Sequence, residues 1–401
     1  MLYRIIILNL LIDILAFWFD PGGLTAMTRI VLIYGWFFIL FFKKQINIHR
    51  NFTIIFFIIY VLILILFSND SFISFRNSLK VFSPFLMFLV GSSLVKSEII
   101  FKKYIKQFIY VYIIIIVNTL VSNVFGLGTD DYTRKQDYVV GGLNDMWNIY
   151  TYSLLMLPLL LHYIRSKNKK YLTFLALVIF ILLLVSLKRI AILGVVIGYV
   201  LYYYKVGIKA KYIKSLTIIA VLFVIASPLY LSLLESRLET RRETNDILSA
   251  EGYRKELRYM EVFLLINSIT DGGNLKSTVF GRKPFDSRAA FNDKLGDGRQ
   301  LHVDYNNIIY TIGLLGLALY IAIYRKIYLK LNNYSKKLLT LKNKRYKPHL
   351  ALAFALLATS LVTSFAGQMD QITFRMMIFM TIGCVFGLID SEMKRKNTNN
   401  G

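Results

Sequence analysis

The amino-acid sequence predicts an all-α polytopic membrane protein of about twelve transmembrane helices, and three observations carry that reading. The chain of 401 residues is 56% hydrophobic and 15% aromatic, with a mean hydropathy of +0.55, which is more apolar than a soluble core requires. Its apolar residues fall in runs long enough to cross roughly 30 Å of hydrocarbon at about 1.5 Å per helical residue. Its 48 lysines and arginines give a formal net charge of +25. They sit in short clusters between the runs rather than in one stripe, a pattern of topology signals that argues against a nucleic-acid partner.

Spans are expected near 2–19, 27–42, 52–68, 79–95, 107–125, 145–164, 171–187, 190–204, 215–234, 303–324, 349–367 and 372–390. With both termini in the cytoplasm, the inside loops and tails collect 28 of the 48 basic residues, as the positive-inside rule requires. The first run, Met1 to Phe19, has no small-residue cleavage site before Asp20-Pro21 and reads as a retained span. Lys188-Arg189 interrupts the run 171–204 and places a turn between spans seven and eight. Without that turn, everything downstream would invert. Pro84, Pro158 and Pro228 fall within or at the ends of spans, where kinks are expected. Cys384, inside an apolar run, offers neither a disulfide framework nor a cysteine metal site. No repeat of fixed period interrupts the chain, so one domain is expected.

The segment 235–302, between spans nine and ten, is a large outer-face loop in this topology, and loops beyond about 15 residues usually carry a function or a fold of their own. It holds twelve basic and eleven acidic residues. Arginine predominates over lysine there, and arginine is the side chain that forks onto phosphate or carboxylate. Tyr253, Leu257, Met260 and Leu264 recur at helical spacing and place Arg254, Arg258 and Glu261 on another face. Such a helix would lie on the membrane surface with its guanidinium groups at headgroup depth. The competing reading pairs Arg254 and Arg258 with Glu251 and Glu261 as surface contacts worth only tenths of a kcal/mol.

Lys188 and Arg189 sit at a span edge, followed by the small residues Ala191 and Gly194. Charge at that depth is costly unless paired or facing a cavity, which makes Arg189 a functional candidate; the competing reading is snorkelling to the headgroups. Of the four histidines, His49, His162 and His349 fall on the cytoplasmic side and His302 alone lies outside, at the start of span ten. His302 is therefore the candidate general base, with Asp304 as a possible orienting carboxylate, although neighbours two apart diverge on a helix. The competing reading of His302 is structural. No clustered Cys, His and Asp spacing accompanies it, so no metal is expected. Asp130-Asp131, before span six, reads as solvated loop.

Three stretches together resemble the O-antigen polymerase and ligase superfamily: Gly252-Tyr-Arg-Lys-Glu-Leu-Arg258, then Phe280-Gly281-Arg282, then Leu301-His-Val-Asp-Tyr-Asn-Asn307 followed by Gly313-x-x-Gly316. The likeness covers the outer loop and span ten; the other spans agree in number and hydropathy. Val303 stands where that family carries asparagine, and the role of that asparagine passes to Asn306 or Asn307 or is not needed. Lys188-Arg189 resembles the family's arginine-bearing turn, with Arg189 aligned.

The resemblance implies a bacterial inner-membrane glycosyltransferase that polymerises polyprenyl-diphosphate-linked oligosaccharide repeat units on the outer face, without cofactor or metal. Its site would comprise His302 as base, Arg254 and Arg189 on the diphosphate, and Arg258, Arg282, Lys188, Asp304 and Tyr305 around the substrate. Membrane lipid and a protein that sets chain length would be further partners. Two alternatives remain: a ligase that moves the finished glycan onto lipid A core or another acceptor, and a polysaccharide-lipid flippase or transporter. A transporter would show two similar halves and charges near mid-membrane. Asp13 is one of few such charges here, and the outer loop divides the chain unequally.

Overall fold

In hydrocarbon every backbone N–H and C=O must be paired within the protein, and apolar runs of about twenty residues achieve this as helices. The structure, a computed structural model, describes residues 4–19, 24–46, 51–125, 146–167, 170–185, 189–207, 257–270, 274–288, 290–291, 300–340, 344–367, 369 and 372–399. Among them all regular structure is helical. In chain order the helices are α1 (Arg4–Phe19), α2 (Leu24–Phe42), α3 (Phe52–Leu66), α4 (Ser71–Leu94), α5 (Glu98–Phe125), α6 (Met146–Lys167), α7 (Lys170–Val185) and α8 (Arg189–Val206). They continue as α9 (Leu257–Thr270), α10 (Leu275–Phe280), α11 (Asp304–Thr340), α12 (Lys347–Thr363) and α13 (Ile372–Asn399). The described residues include three helices long and apolar enough to cross a membrane, over Glu98–Val121, Asp304–Leu339 and Ile372–Arg395, beside shorter apolar helices. This is the architecture of a helical membrane protein.

Helices cover the described parts of the expected spans, with shifted ends. α4 starts at Ser71 and α5 at Glu98, ahead of the apolar runs at 79 and 107. α11 continues past the expected span end at 324 and carries Arg325, Lys326, Lys330, Lys336 and Lys337 on helix. Hydropathy marks where a chain leaves the bilayer, and nothing obliges the helix to stop there, because lysine and arginine are good helix formers. The extension is anchored: the Tyr334 hydroxyl donates to Asp390 at 2.6 Å, and Lys330 lies 3.4 Å from the same carboxylate. The ninth expected span, 215–234, lies outside the described residues, as do Asp130-Asp131 and the loop segment 235–256.

α13 forms the centre of the bundle, with its apolar stretch wholly buried. It packs on α4 through three glycines. A Cβ on Gly91 would overlap the Met380 carbonyl, and Cβ atoms on Gly383 and Gly387 would overlap the carbonyls of Phe88 and Ser92. Small residues four apart allow this backbone approach, which supplies dispersion contacts where lipid tails compete for apolar surface. α8 meets α12 in the same way, with Thr359 Oγ1 donating to the Gly194 carbonyl at 3.2 Å.

α11 is broken about a quarter of the way along. Gly313 has φ 73° and ψ −179° inside it, a region open essentially to glycine alone. Gly281, at φ 80°, caps α10 against the same point: a Cβ on Gly281 would overlap Thr311, and one on Gly313 would overlap Val279. The break leaves the Ile312 carbonyl to accept from the Tyr60 hydroxyl at 2.7 Å. Gly313→Ala is therefore expected to lose about 1–2 kcal/mol to backbone strain alone, with the clash in addition. Its thermal midpoint in detergent should fall well below that of Gly35→Ala, whose added methyl meets nothing within 4 Å; equal midpoints would refute the account.

Candidate functional site

His302 is held between two elements. α9 lays Leu264 into a small apolar cluster with Ala290 and Leu301, Met260, Phe291 and Tyr310 pack around it, and Leu265 beside it is buried too. Glu261, at spacings of three and four from those leucines, shares their buried face and is 0% exposed. The buried stripe of the helix thus includes Glu261 beside Leu264 and Leu265, where an exposed, charged face was expected. The reason is tertiary. The carboxylate accepts the His302 backbone N–H on Oε2 at 2.9 Å, and Oε1 lies 3.2 Å from His302 Nδ1. A buried carboxylate is tolerated where its oxygens are so engaged.

The consequence for the imidazole is geometric. A carboxylate on Nδ1 favours the tautomer with the proton on that nitrogen, which leaves the lone pair on Nε2 at the opposite edge of the ring. The His302 side chain is 39% exposed, against 0% for Glu261, so the ring stands at the boundary between the fold and its surroundings. Behind it, Gly367 (φ 71°) lies so close that a Cβ would overlap the His302 carbonyl. Orientation and position of the ring are thus fixed from two sides, and the arrangement can accept a proton from a group arriving at the exposed edge.

The segment after α10 is stapled beside it. Asn77 donates to the Phe285 carbonyl at 2.9 Å, and the Leu301 N–H donates to Ser287 Oγ at 3.0 Å. Arg288 donates to both Asp286 oxygens, at 2.8 and 3.1 Å, and Lys283 bridges Asp286 and Asp70. Hydrogen bonds from Arg288, and then from Lys283, hold the Asp286 carboxyl well below its usual range against the opposing effect of burial. A depressed folded-state value adds stability above the unfolded value of about 4 and loses it as the pH falls through the folded one. Acidification below about pH 4 is expected to loosen this segment, read as faster proteolysis within 274–291. Asp286→Asn should flatten that profile; an unchanged profile would refute the assignment.

Beneath His302 lies a buried ion pair that the span inventory passes over. Arg375 is 2% exposed. Its guanidinium donates to Asp304 Oδ2 at 2.7 Å, to the Tyr324 hydroxyl at 2.9 Å, and to Ser360 Oγ and Ser364 Oγ at 2.7 and 2.8 Å. Asp304 Oδ1 also accepts the Met369 N–H at 2.9 Å. Asp304 therefore stands in a structural network, and the carboxylate on His302 Nδ1 is Glu261. The sequence signal for Arg375 was present: an arginine four residues into an otherwise apolar span is a candidate by default. Asp13, one of the few mid-span charges, pairs with Arg29 and accepts from Thr373 Oγ1 at 2.6 Å.

The remaining candidates divide. Arg282 is exposed; its guanidinium sits 5.0 Å from the Tyr310 ring centroid and its N–H donates to the Tyr310 carbonyl at 3.1 Å. Tyr305 donates to the Leu361 carbonyl at 3.0 Å and sets its ring against Phe365. Arg282, Tyr310 and His302 thus belong to one end of the bundle around the start of α11. Arg189 opens α8 and Arg258 is the second residue of α9, with side chains outside the described residues. Arg254 and Lys188 lie outside them altogether. Among the described residues no three His, Cys, Asp or Glu side chains gather at metal-ligand spacing. Comparison with protein-family models and with curated proteins finds no match. What the fold and the site define is a class: a helical membrane protein with a carboxylate-oriented histidine at the start of a kinked helix.

Proposed function

We propose that the chain is a metal-independent glycosyltransferase that polymerises polyprenyl-diphosphate-linked oligosaccharide repeat units on the outer face of a bacterial inner membrane. Twelve spans and cytoplasmic termini belong to this reading, supported by the distribution of lysine and arginine along the chain. The observation that carries it is the half-exposed His302 with Nδ1 on the fully buried Glu261, within a stretch that resembles the polymerase and ligase superfamily. His302 Nε2 takes the proton of an acceptor sugar hydroxyl. The hydroxyl oxygen forms a bond to the anomeric carbon of the donor, whose bond to the diphosphate breaks, and the polyprenyl diphosphate leaves with the electron pair. Arginines stabilise the charge that develops on it; Arg189 and Arg254 are assigned to that task, with Arg258 and Arg282 in support.

The test is complementation of a deletion strain by His302→Ala and Arg254→Ala at matched membrane levels, with surface polysaccharide resolved on a gel. Single-repeat glycans in both variants support polymerisation. Long chains retained on the lipid carrier identify the ligase instead. A normal ladder overturns the assignment of both residues.

A further inference from the structure

The end of the bundle away from His302 carries a second cluster of polar groups. α12 begins at Lys347, and beyond its last residue, Thr363, a short 3-10 turn leads to Gly367 against the His302 carbonyl. The 17 residues of α12, at about 1.5 Å each, put its two ends about 25 Å apart. At the Lys347 end, Glu98 and Lys102 of α5, His162 and Arg165 of α6, and Arg345 and His349 line a cavity of about 280 Å³. That space admits many water molecules, enough for a phosphate group with part of its ester.

We propose that this cavity binds a phosphate-bearing anion, either a phospholipid headgroup or free phosphate. Charge decides the sign of the ligand. Three cations face one carboxylate, and Glu98 is already shared between Lys102, at 2.6 Å, and Arg345. The remaining positive charge opposes the divalent cation that two imidazoles with ring centroids 4.6 Å apart would otherwise suggest. Arginine is the side chain whose fork matches phosphate. The cavity also lies at the N-termini of α5 and α12, where backbone N–H groups favour anions.

The histidines supply the independent observation. His162 and His349 are each 6% exposed, and Nδ1 of each is buried without a hydrogen-bond partner. Buried polar atoms are nearly always hydrogen-bonded, and a neutral imidazole carries one N–H to give. Phe101, with its ring centroid 4.9 Å from that of His349 and 6.2 Å from that of His162, holds both rings in place. Phosphate oxygens reaching the rings would accept from His162, while the His349 ring donates to the Arg345 carbonyl and the arginines neutralise the ligand's charge.

The test uses the full chain purified in an uncharged maltoside detergent and stripped of lipid. Its thermal midpoint is measured against added inorganic phosphate, phosphatidylglycerol or an uncharged diacylglycerol, at matched ionic strength. Arg165→Gln, Arg345→Gln and the milder His349→Gln are compared with Lys394→Gln, which lies outside the cavity. A rise in the wild-type midpoint with phosphatidylglycerol alone identifies a lipid headgroup as the ligand, and a rise with inorganic phosphate identifies the free anion. In either case the half-saturating concentration is expected to increase at least tenfold in the cavity variants and to be unchanged in Lys394→Gln. No rise in wild type, or the same rise in all variants, overturns the proposal. Where an arginine variant does not fold, His349→Gln decides.

Discussion

Asp304→Asn is expected to destabilise the fold by about 3–5 kcal/mol, the range for removing one partner of a buried ion pair. Arg375 then keeps its charge in a site with 2% exposure, surrounded by hydroxyls that solvate a cation only in part. The loss falls on the junction of three helices, because Asp304 opens α11, Ser360 lies on α12 and Arg375 lies near the start of α13. Asp304 also sits where the α11 dipole favours an acid and holds the Met369 N–H. Replacing both partners, as Asp304→Asn with Arg375→Met, is expected to recover much of the loss, because the uncompensated charge disappears. Thermal midpoints and monodisperse yield in detergent check this. A single variant as stable as wild type, or a double variant worse than both singles, would sink the account.

On the proposed function, His302→Ala is expected to lower the rate of glycan joining by about 10²–10⁴, the usual contribution of a positioned general base, with little change in thermal midpoint because the ring is half-exposed. Glu261→Gln tests the orientation separately. A glutamine keeps the shape and can still accept the His302 backbone N–H, but its amide nitrogen, turned toward Nδ1, favours the opposite tautomer. Loss of the productive ring orientation is expected to lower turnover on the order of 10²-fold while substrate half-saturation changes little. Glu261→Asp, a shorter carboxylate, should retain more activity than Glu261→Gln. In-vitro extension of a lipid-linked repeat unit by protein in vesicles reads both. Full activity in His302→Ala removes the base; full activity in Glu261→Gln with an inactive His302→Ala leaves the base and removes its orienting partner.

The amino-acid sequence already marks the protein as helical and built for a bilayer, because apolar runs of about twenty residues kept from water satisfy their backbone as helices. It also singled out His302, and it drew attention to the glycines of the Gly281 and Gly313 stretches, whose reciprocal contact then appeared in the fold. Tertiary structure decided the rest. Helix ends at Ser71 and Glu98 depend on what each helix leans against outside the apolar layer, which hydropathy does not register. Glu261 was legible as a charge on an amphipathic helix, but its partner is 41 positions away, and only folding brings the two together. Arg375 with Asp304, 71 positions apart, and His162 with His349 follow the same rule. Short-range spacing reports a residue's face on its own helix, whereas the chemistry of a buried polar group belongs to the neighbours that packing assigns to it.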